Sequence, residues 1–362
     1  MKNMRHTIKY GLLLVAVLFV WLFLRHDAFL YQNPVGQVTQ VQASVTQKTT
    51  DEHGNADVMI TQRLTVKLLN RQKRIIVIHN DYAKSQVMTQ KYRVGDQLLL
   101  EKVAANTHIL SLKRDAWVGA LMTFFLALLL MYSKWRATSW LLLSMLINIA
   151  LFGVALLVDI HNKDTNVLLI FSILSILFAA VSLILVLGRT LQMALTLAAT
   201  LITTFLTIIL LIIVLDVTHN VGVHFETMSY VTQVPATLFM AQTVIGVLGA
   251  VMDEASDIVA MQFGMRRENS IREFGDYWHA GVSVGREIMG TLMNVLFMIF
   301  IAETLPMVFL MLRNGNNWAY IMDQVMNLGI LQTVISAIGI VLAVPVTSVI
   351  VGLALTRKAG RQ

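Results

Sequence analysis

The sequence predicts an α-helical polytopic membrane protein with about eight spans and a small extracytoplasmic β-domain between spans one and two. Three observations predict it. Hydrophobic residues make up 56% of the chain and charged ones 14%, where a soluble domain carries about 25% charged. Long apolar runs recur through the C-terminal two-thirds, each near the roughly 17–25 residues that cross a hydrocarbon core. Between the first two apolar runs the pattern changes to the two-residue alternation of strands.

The N-terminus carries Lys2, Arg5 and Lys9 ahead of a short apolar run at 11–24. Arg25, His26 and Asp27 follow it in place of a small-residue cleavage pattern, so residues 1–25 read as a cytoplasmic N-terminus and an uncleaved signal-anchor span, with a cleaved signal peptide as the alternative. Residues 26–115 hold strand-like stretches at 35–45, 58–68, 74–79, 96–103 and 108–112. In the second, Leu64, Val66 and Leu68 alternate with Thr65 and Lys67, the pattern of a strand with one buried face. Asp51-Glu52-His53-Gly54-Asn55 and Val94-Gly95-Asp96 are turn signals between strands. Five short strands fit a small OB-like barrel or a generic antiparallel domain. Residues 116–356 form a seven-span membrane domain, with spans at 116–132, 138–158, 167–187, 193–215, 237–260, 286–311 and 329–355, and residues 357–362 are a cytoplasmic tail.

Basic residues orient these spans. With the N-terminus inside, thirteen fall at cytoplasmic ends: Lys2, Arg5, Lys9, Lys134, Arg136, Arg189, Arg266, Arg267, Arg272, Arg286, Arg357, Lys358 and Arg361. The short outer loops hold only Lys163 and Arg313. That asymmetry places both termini in the cytoplasm and residues 26–115 outside. It also accounts for the pI of about 9.6 without a nucleic-acid partner. Cysteine is absent, which removes disulfides, thiolate metal sites and thiol nucleophiles.

Ionisable groups inside spans mark function more often than they mark packing, because each costs on the order of 2.5–3.5 kcal/mol to insert. Asp253, Glu254 and Asp257 end the apolar run of span six. Gly246, Gly249, Asp253 and Asp257 share one side of that helix, with Glu254 about 100° away. Arg286 and Glu287 open span seven, followed by Asn294, and a salt bridge from Arg286 to one of the aspartates is expected. Asp253, Asp257, Arg286, Glu287 and Asn294 are therefore the principal candidates for binding a substrate or ion. Secondary candidates are Glu254, Glu303 beside the carbonyl freed by Pro306, Thr347 beside Pro345, and Thr200 and Thr204. The two threonines belong to a stripe in span five that also contains Thr196, Thr203 and Thr207, and that serves either helix packing or a polar path. Ser144 and Asn148 share a face of span three and are expected to hydrogen-bond across helices.

No resident metal or cofactor is expected; His219, His224 and Glu226, in the loop after span five, are weak metal candidates whose spacing matches no familiar motif. Walker A, HExxH, GxSxG and dinucleotide fingerprints are absent, so no enzyme is expected. An aspartyl hydrolase built on Asp253 and Asp257 is disfavoured because both lie on one helix.

GAVMDEASDI (249–258), AGVSVGREIMGTLMN (280–294), Leu305–Pro306 and VPVT (344–347) together resemble the YibE/F-like family of bacterial multi-pass membrane proteins. The likeness runs over roughly residues 160–355, with Glu287 standing where the family pattern has Asp. The resemblance implies a permease of the bacterial cell membrane, members encoded in adjacent pairs, and hence a homo-oligomer or a hetero-oligomer with a paired relative. The function expected is secondary transport of a small solute coupled to a proton or cation. The alternative is a non-transporting envelope scaffold or sensor whose outer β-domain binds a protein, lipid or wall ligand.

Overall fold

A computed structural model describes residues 2–50, 54, 56–71, 74–86, 89–102, 107–161, 166–227, 234–268 and 272–359, with side chains from 10 to 356 within them. Among these, eight helices are long and apolar enough to cross a membrane. The chain divides into two compact units, Met1–Thr138 and Ser139–Gln362.

The first unit contains helix α1 (Lys2–His26), a 3-10 turn (Asp27–Leu30), strands β1 (Val35–Thr50), β2 (Ala56–Leu68), β3 (Ile75–Ala83), β4 (Gln97–Leu100) and β5 (Ile109–Leu112), and helix α2 (Asp115–Tyr132). The five strands form one curled antiparallel sheet in the order β3-β2-β1-β4-β5. No β3–β5 pair closes it among the described residues, so the sheet is open where a barrel would be shut. The expected alternation in β2 is present: Leu64, Val66 and Leu68 are buried, and with Val38, Ile78, Tyr92, Leu98 and Leu100 they make the core of this unit. Gln62 lies in the same phase. Both ends of its amide are engaged, Nε2 donating to Tyr92 O at 2.9 Å and Oε1 accepting from Tyr92 N and Asn80 Nδ2. β1 and β3 run past the expected ends at 45 and 79, to Thr50 and Ala83, while β2 starts two residues before the expected 58; the distal half of β1 is exposed. The Val94-Gly95-Asp96 turn forms with Gly95 at φ 96° and Asp96 accepting from Arg93 N. The turn signal at 51–55 lies, except for Gly54, outside the described residues.

A buried ionic knot ties the sheet to the ends of α1 and α2. Lys113 Nζ lies 2.7 Å from Asp27 and 2.8 Å from Asp115, and donates to the Leu24 carbonyl at the end of α1. Tyr31 donates to Asp115 Oδ2 at 2.6 Å, and Gln97 of β4 donates to the carbonyl of Arg25.

The second unit contains most of α3 (Trp135–His161), then α4 (Val167–Leu187), α5 (Leu191–Val217), α6 (Pro235–Glu268), α7 (Phe274–Arg313), the short α8 (Trp318–Ile321), a π-helical turn (Met322–Met326) and α9 (Asn327–Ala359). Side-chain caps start α4 and α5, with Asn166 accepting from Leu169 N and Thr190 from Met193 N. α6 and α7 overrun the expected spans at 237–260 and 286–311, because their polar ends continue the helix beyond the apolar stretch. α6 packs against α4, α5, α7 and α9, while α7 leans on α9 and leaves most of its length exposed. Of the glycines on one side of α6, a Cβ at Gly246 would lie 3.4 Å from Gln332 Nε2 of α9, an ordinary contact. A Cβ at Gly249 would meet nothing within 4 Å, whereas one at Gly285 of α7 would lie 2.6 Å from Val344 of α9.

Candidate functional site

The site grows out of the face that α6 turns inward. Val247, Val251, Ile258 and Gln262 are each fully buried on it. Glu254 stands seven residues after Val247, about 20° around the helix from it, so the same packing that buries the valines buries the carboxylate. Glu254 is 0% exposed, and neither of its oxygens has a hydrogen-bond partner. No ion pair among the described residues includes it.

α5 and α9 both pack against α6. A Cβ at Gly339 of α9 would lie 3.1 Å from both Val247 and Val251 and 3.4 Å from Thr207 Oγ1 of α5, which fixes one layer of the three-helix contact. One turn onward, about 5.4 Å, the register brings Glu254, Ala343 and the pair Thr203 and Thr204 to the same level. Another turn brings Ile258, Thr347 and Thr200 together. All four threonines are buried. Buried helical hydroxyls usually bond back to the carbonyl four residues earlier, and the outer members do: Thr196 to Gln192, Thr207 to Thr203 and Ser348 to Val344. Thr200, Thr203, Thr204 and Thr347 do not, and their hydroxyls have no partner at all. By helical register these four hydroxyls fall at the level of Glu254 or one turn beyond it; Gln262 Oε1, further along the buried face of α6, is unpartnered as well.

Apolar clusters close this polar layer at both ends. On one side Leu211, Leu215, Val247, Val251 and Ile335 pack together in a cluster that extends to Ala343. On the other, Val259, Tyr277, Val351 and Leu355 do. Thr203 and Thr204 are at the middle of the 27-residue α5, so the layer lies near the centre of the membrane-crossing length. From the α4 side, a cleft of about 400 Å³ lined by Ser172, Ser175, Phe205 and Leu248 reaches Thr204.

The principal sequence candidates lie elsewhere. Asp253, Asp257, Arg286, Glu287 and Asn294 are all exposed, and no ion pair joins Arg286 to Asp253 or Asp257. The expected salt bridge is therefore corrected. Arg286 does enter close to the expected depth, since Gly285 meets Val344, but one residue turns about 100° and carries the guanidinium to the open side of α7. Asp253 and Asp257 are likewise exposed on α6, about 100° and 60° around the helix from Glu254. Of the secondary candidates, Glu254, Thr200, Thr204 and Thr347 are the ones that are buried with unpartnered oxygens. Glu303 is exposed beside a separate cleft of about 300 Å³ with Thr304, Tyr320 and Gln324. Val341, whose carbonyl Pro345 frees, is 44% exposed and apart from the buried layer.

His224 lies 3.2 Å from both Glu226 and Asp323, and His219 takes no part in these contacts. Among the described residues no group of three or more such side chains could hold a metal ion. Ser144 and Asn148 do bond across to α4, Asn148 donating to Ser182 Oγ at 2.8 Å. The sequence reading missed the knot of Asp27, Lys113 and Asp115. Its signal was present, since opposite charges flank the two ends of the β-domain where each meets an apolar run. Burial first, and then the hydrogen bond to Asp115, hold the Tyr31 phenol well above its ordinary range.

Eight membrane-length helices, a sheet domain after the first, and an occluded polar layer in the second unit define a polytopic membrane protein with a polar core. The chain belongs to the YibE/F-like protein family: the family's model matches residues 121–357, and that of the YibE/F family N-terminal domain matches residues 29–113. No curated protein and no solved structure matches the chain.

Proposed function

We propose that this protein is a secondary transporter, a non-enzymatic permease for a small solute, with Glu254 as its working group. It would act in the bacterial cytoplasmic membrane with both termini inside and residues 26–115 outside. The observation that carries the reading is the unpartnered, fully buried carboxylate midway along the membrane-crossing length, sealed above and below by apolar clusters. A charge in that position is costly and is ordinarily retained for an ion or proton pathway, and transporter sites characteristically lie near the bilayer midplane. Asp253, Asp257, Arg286 and Glu287 would then line a polar mouth on the open side of α6 and α7. The exposed apolar flank of α7, with Met298, Leu305 and Phe309, suits lipid or a second family member.

The test is metabolite profiling of a strain lacking the protein, complemented with the native chain or with Glu254→Gln at equal membrane abundance. Native protein should restore the altered solute pool and the variant should not; equal restoration by both removes the reading. A scaffold or sensor is favoured by one observation, the projecting β1–β2 hairpin whose distal half is exposed. If so, deleting residues 30–112 should abolish the phenotype while Glu254→Gln leaves it intact.

A further inference from the structure

We propose that the polar layer around Glu254 is a binding site for a dehydrated monovalent alkali-metal cation. Glu254 supplies the charge, and the hydroxyls of Thr200, Thr203, Thr204 and Thr347 supply neutral oxygen ligands. This rests on Glu254 as the working group of the transporter core, while cation binding and solute movement are measured separately.

Charge is the first consideration. An ionised carboxylate buried without a counter-charge is strongly unfavourable, and no basic side chain forms an ion pair with Glu254 among the described residues. The site therefore calls for one positive charge from outside the chain. A divalent ion would call for a second buried carboxylate, and Asp253 and Asp257, the other acids on this stretch of α6, are exposed.

Ligand chemistry is the second. Every unpartnered atom of the layer is a hard oxygen: two carboxylate oxygens and four hydroxyls. Oxygen ligands of this kind suit hard, redox-inert cations, where imidazole or thiolate would suit transition metals. A proton alone fits less well. A protonated Glu254 would still need an acceptor for its O–H, and neither oxygen has a partner within hydrogen-bond reach. It would also leave the four threonine hydroxyls unsatisfied, whereas a cation engages their lone pairs together. The contrast along α5 supports this. Thr196 and Thr207, at the ends of the stripe, bond to their own backbone, and the members between them keep their hydroxyls free.

The experiment is thermal unfolding of the full-length protein in detergent, titrated with sodium, potassium or lithium chloride against choline chloride at constant ionic strength. The midpoint should rise saturably with at least one alkali ion and not with choline. Glu254→Gln should abolish the rise. Thr203→Val and Thr347→Val should each raise the half-saturating concentration roughly tenfold, the loss of about 1.4 kcal/mol of binding. Thr356→Val, whose hydroxyl already bonds to Gly352, should leave it unchanged. Stabilisation that follows pH and ignores alkali ions would assign a proton and overturn the proposal, as would a response retained in Glu254→Gln. If Glu254→Gln does not fold, unshifted half-saturation in both threonine variants overturns it. Cation binding abolished by Glu254→Gln, with full complementation by the same variant, would instead remove the transporter reading and leave the cation site standing.

Discussion

Glu254 is a residue the fold pays for, and its removal should show it. In buffer free of alkali ions, Glu254→Gln should unfold at a higher temperature than the native chain, because an amide costs less to bury than an unpaired carboxylate; a lower midpoint would mean the carboxylate has a stabilising partner. Lys113 presents the opposite case, a buried charge met by two carboxylates and a carbonyl. Lys113→Met should cost about 3–5 kcal/mol, since it strands Asp27. Adding Asp27→Leu should recover much of that loss in melting experiments. Tyr31 gives the pH dependence. Its folded pKa is raised, so its contribution is complete below about pH 10 and is lost as pH rises through the folded value. Phenolate absorbance should therefore show Tyr31 among the tyrosines that resist titration in the native chain, and Asp115→Asn should ease its ionisation.

At the level of elements, the sequence was legible wherever periodicity and length carry the information. All eight spans and all five strands fall where the apolar runs and the alternation of Leu64, Val66 and Leu68 put them. The inward face of α6 was not legible in the same way. Lipid-facing positions are as apolar as packed ones, so the stripe of Gly246, Gly249, Asp253 and Asp257 looked as good an interior as that of Val247, Val251 and Glu254. Only the register of α5 and α9 distinguishes them. The threonine stripe was visible, but which hydroxyls bond to their own backbone depends on rotamers that no spacing encodes. Glycine substitutions test the assigned faces. Gly285→Val should destabilise by about 1–3 kcal/mol through collision with Val344. Gly249→Ala, with open space around it, should be neutral or gain up to about 1 kcal/mol of helix propensity. The reverse order in gel-filtration melting curves would mean the two helices are turned the other way.

For the whole molecule, orientation is the property most open to direct measurement. The chain has no cysteine, so a single introduced thiol reports without background. Lys48→Cys, on the exposed part of β1, should react with a membrane-impermeant maleimide in intact cells. Arg267→Cys, at the end of α6, should react only after permeabilisation; the converse pattern would invert the proposed topology. The hairpin on which Lys48 sits has a mechanical side. Its exposed length from Gln42 to Thr50 is about 30 Å, and its root is fastened to α1 and α2 through Asp27, Lys113 and Asp115 instead of hanging on slack chain. A load applied at the tip would therefore reach the ends of α1 and α2 through these contacts before any slack chain could absorb it.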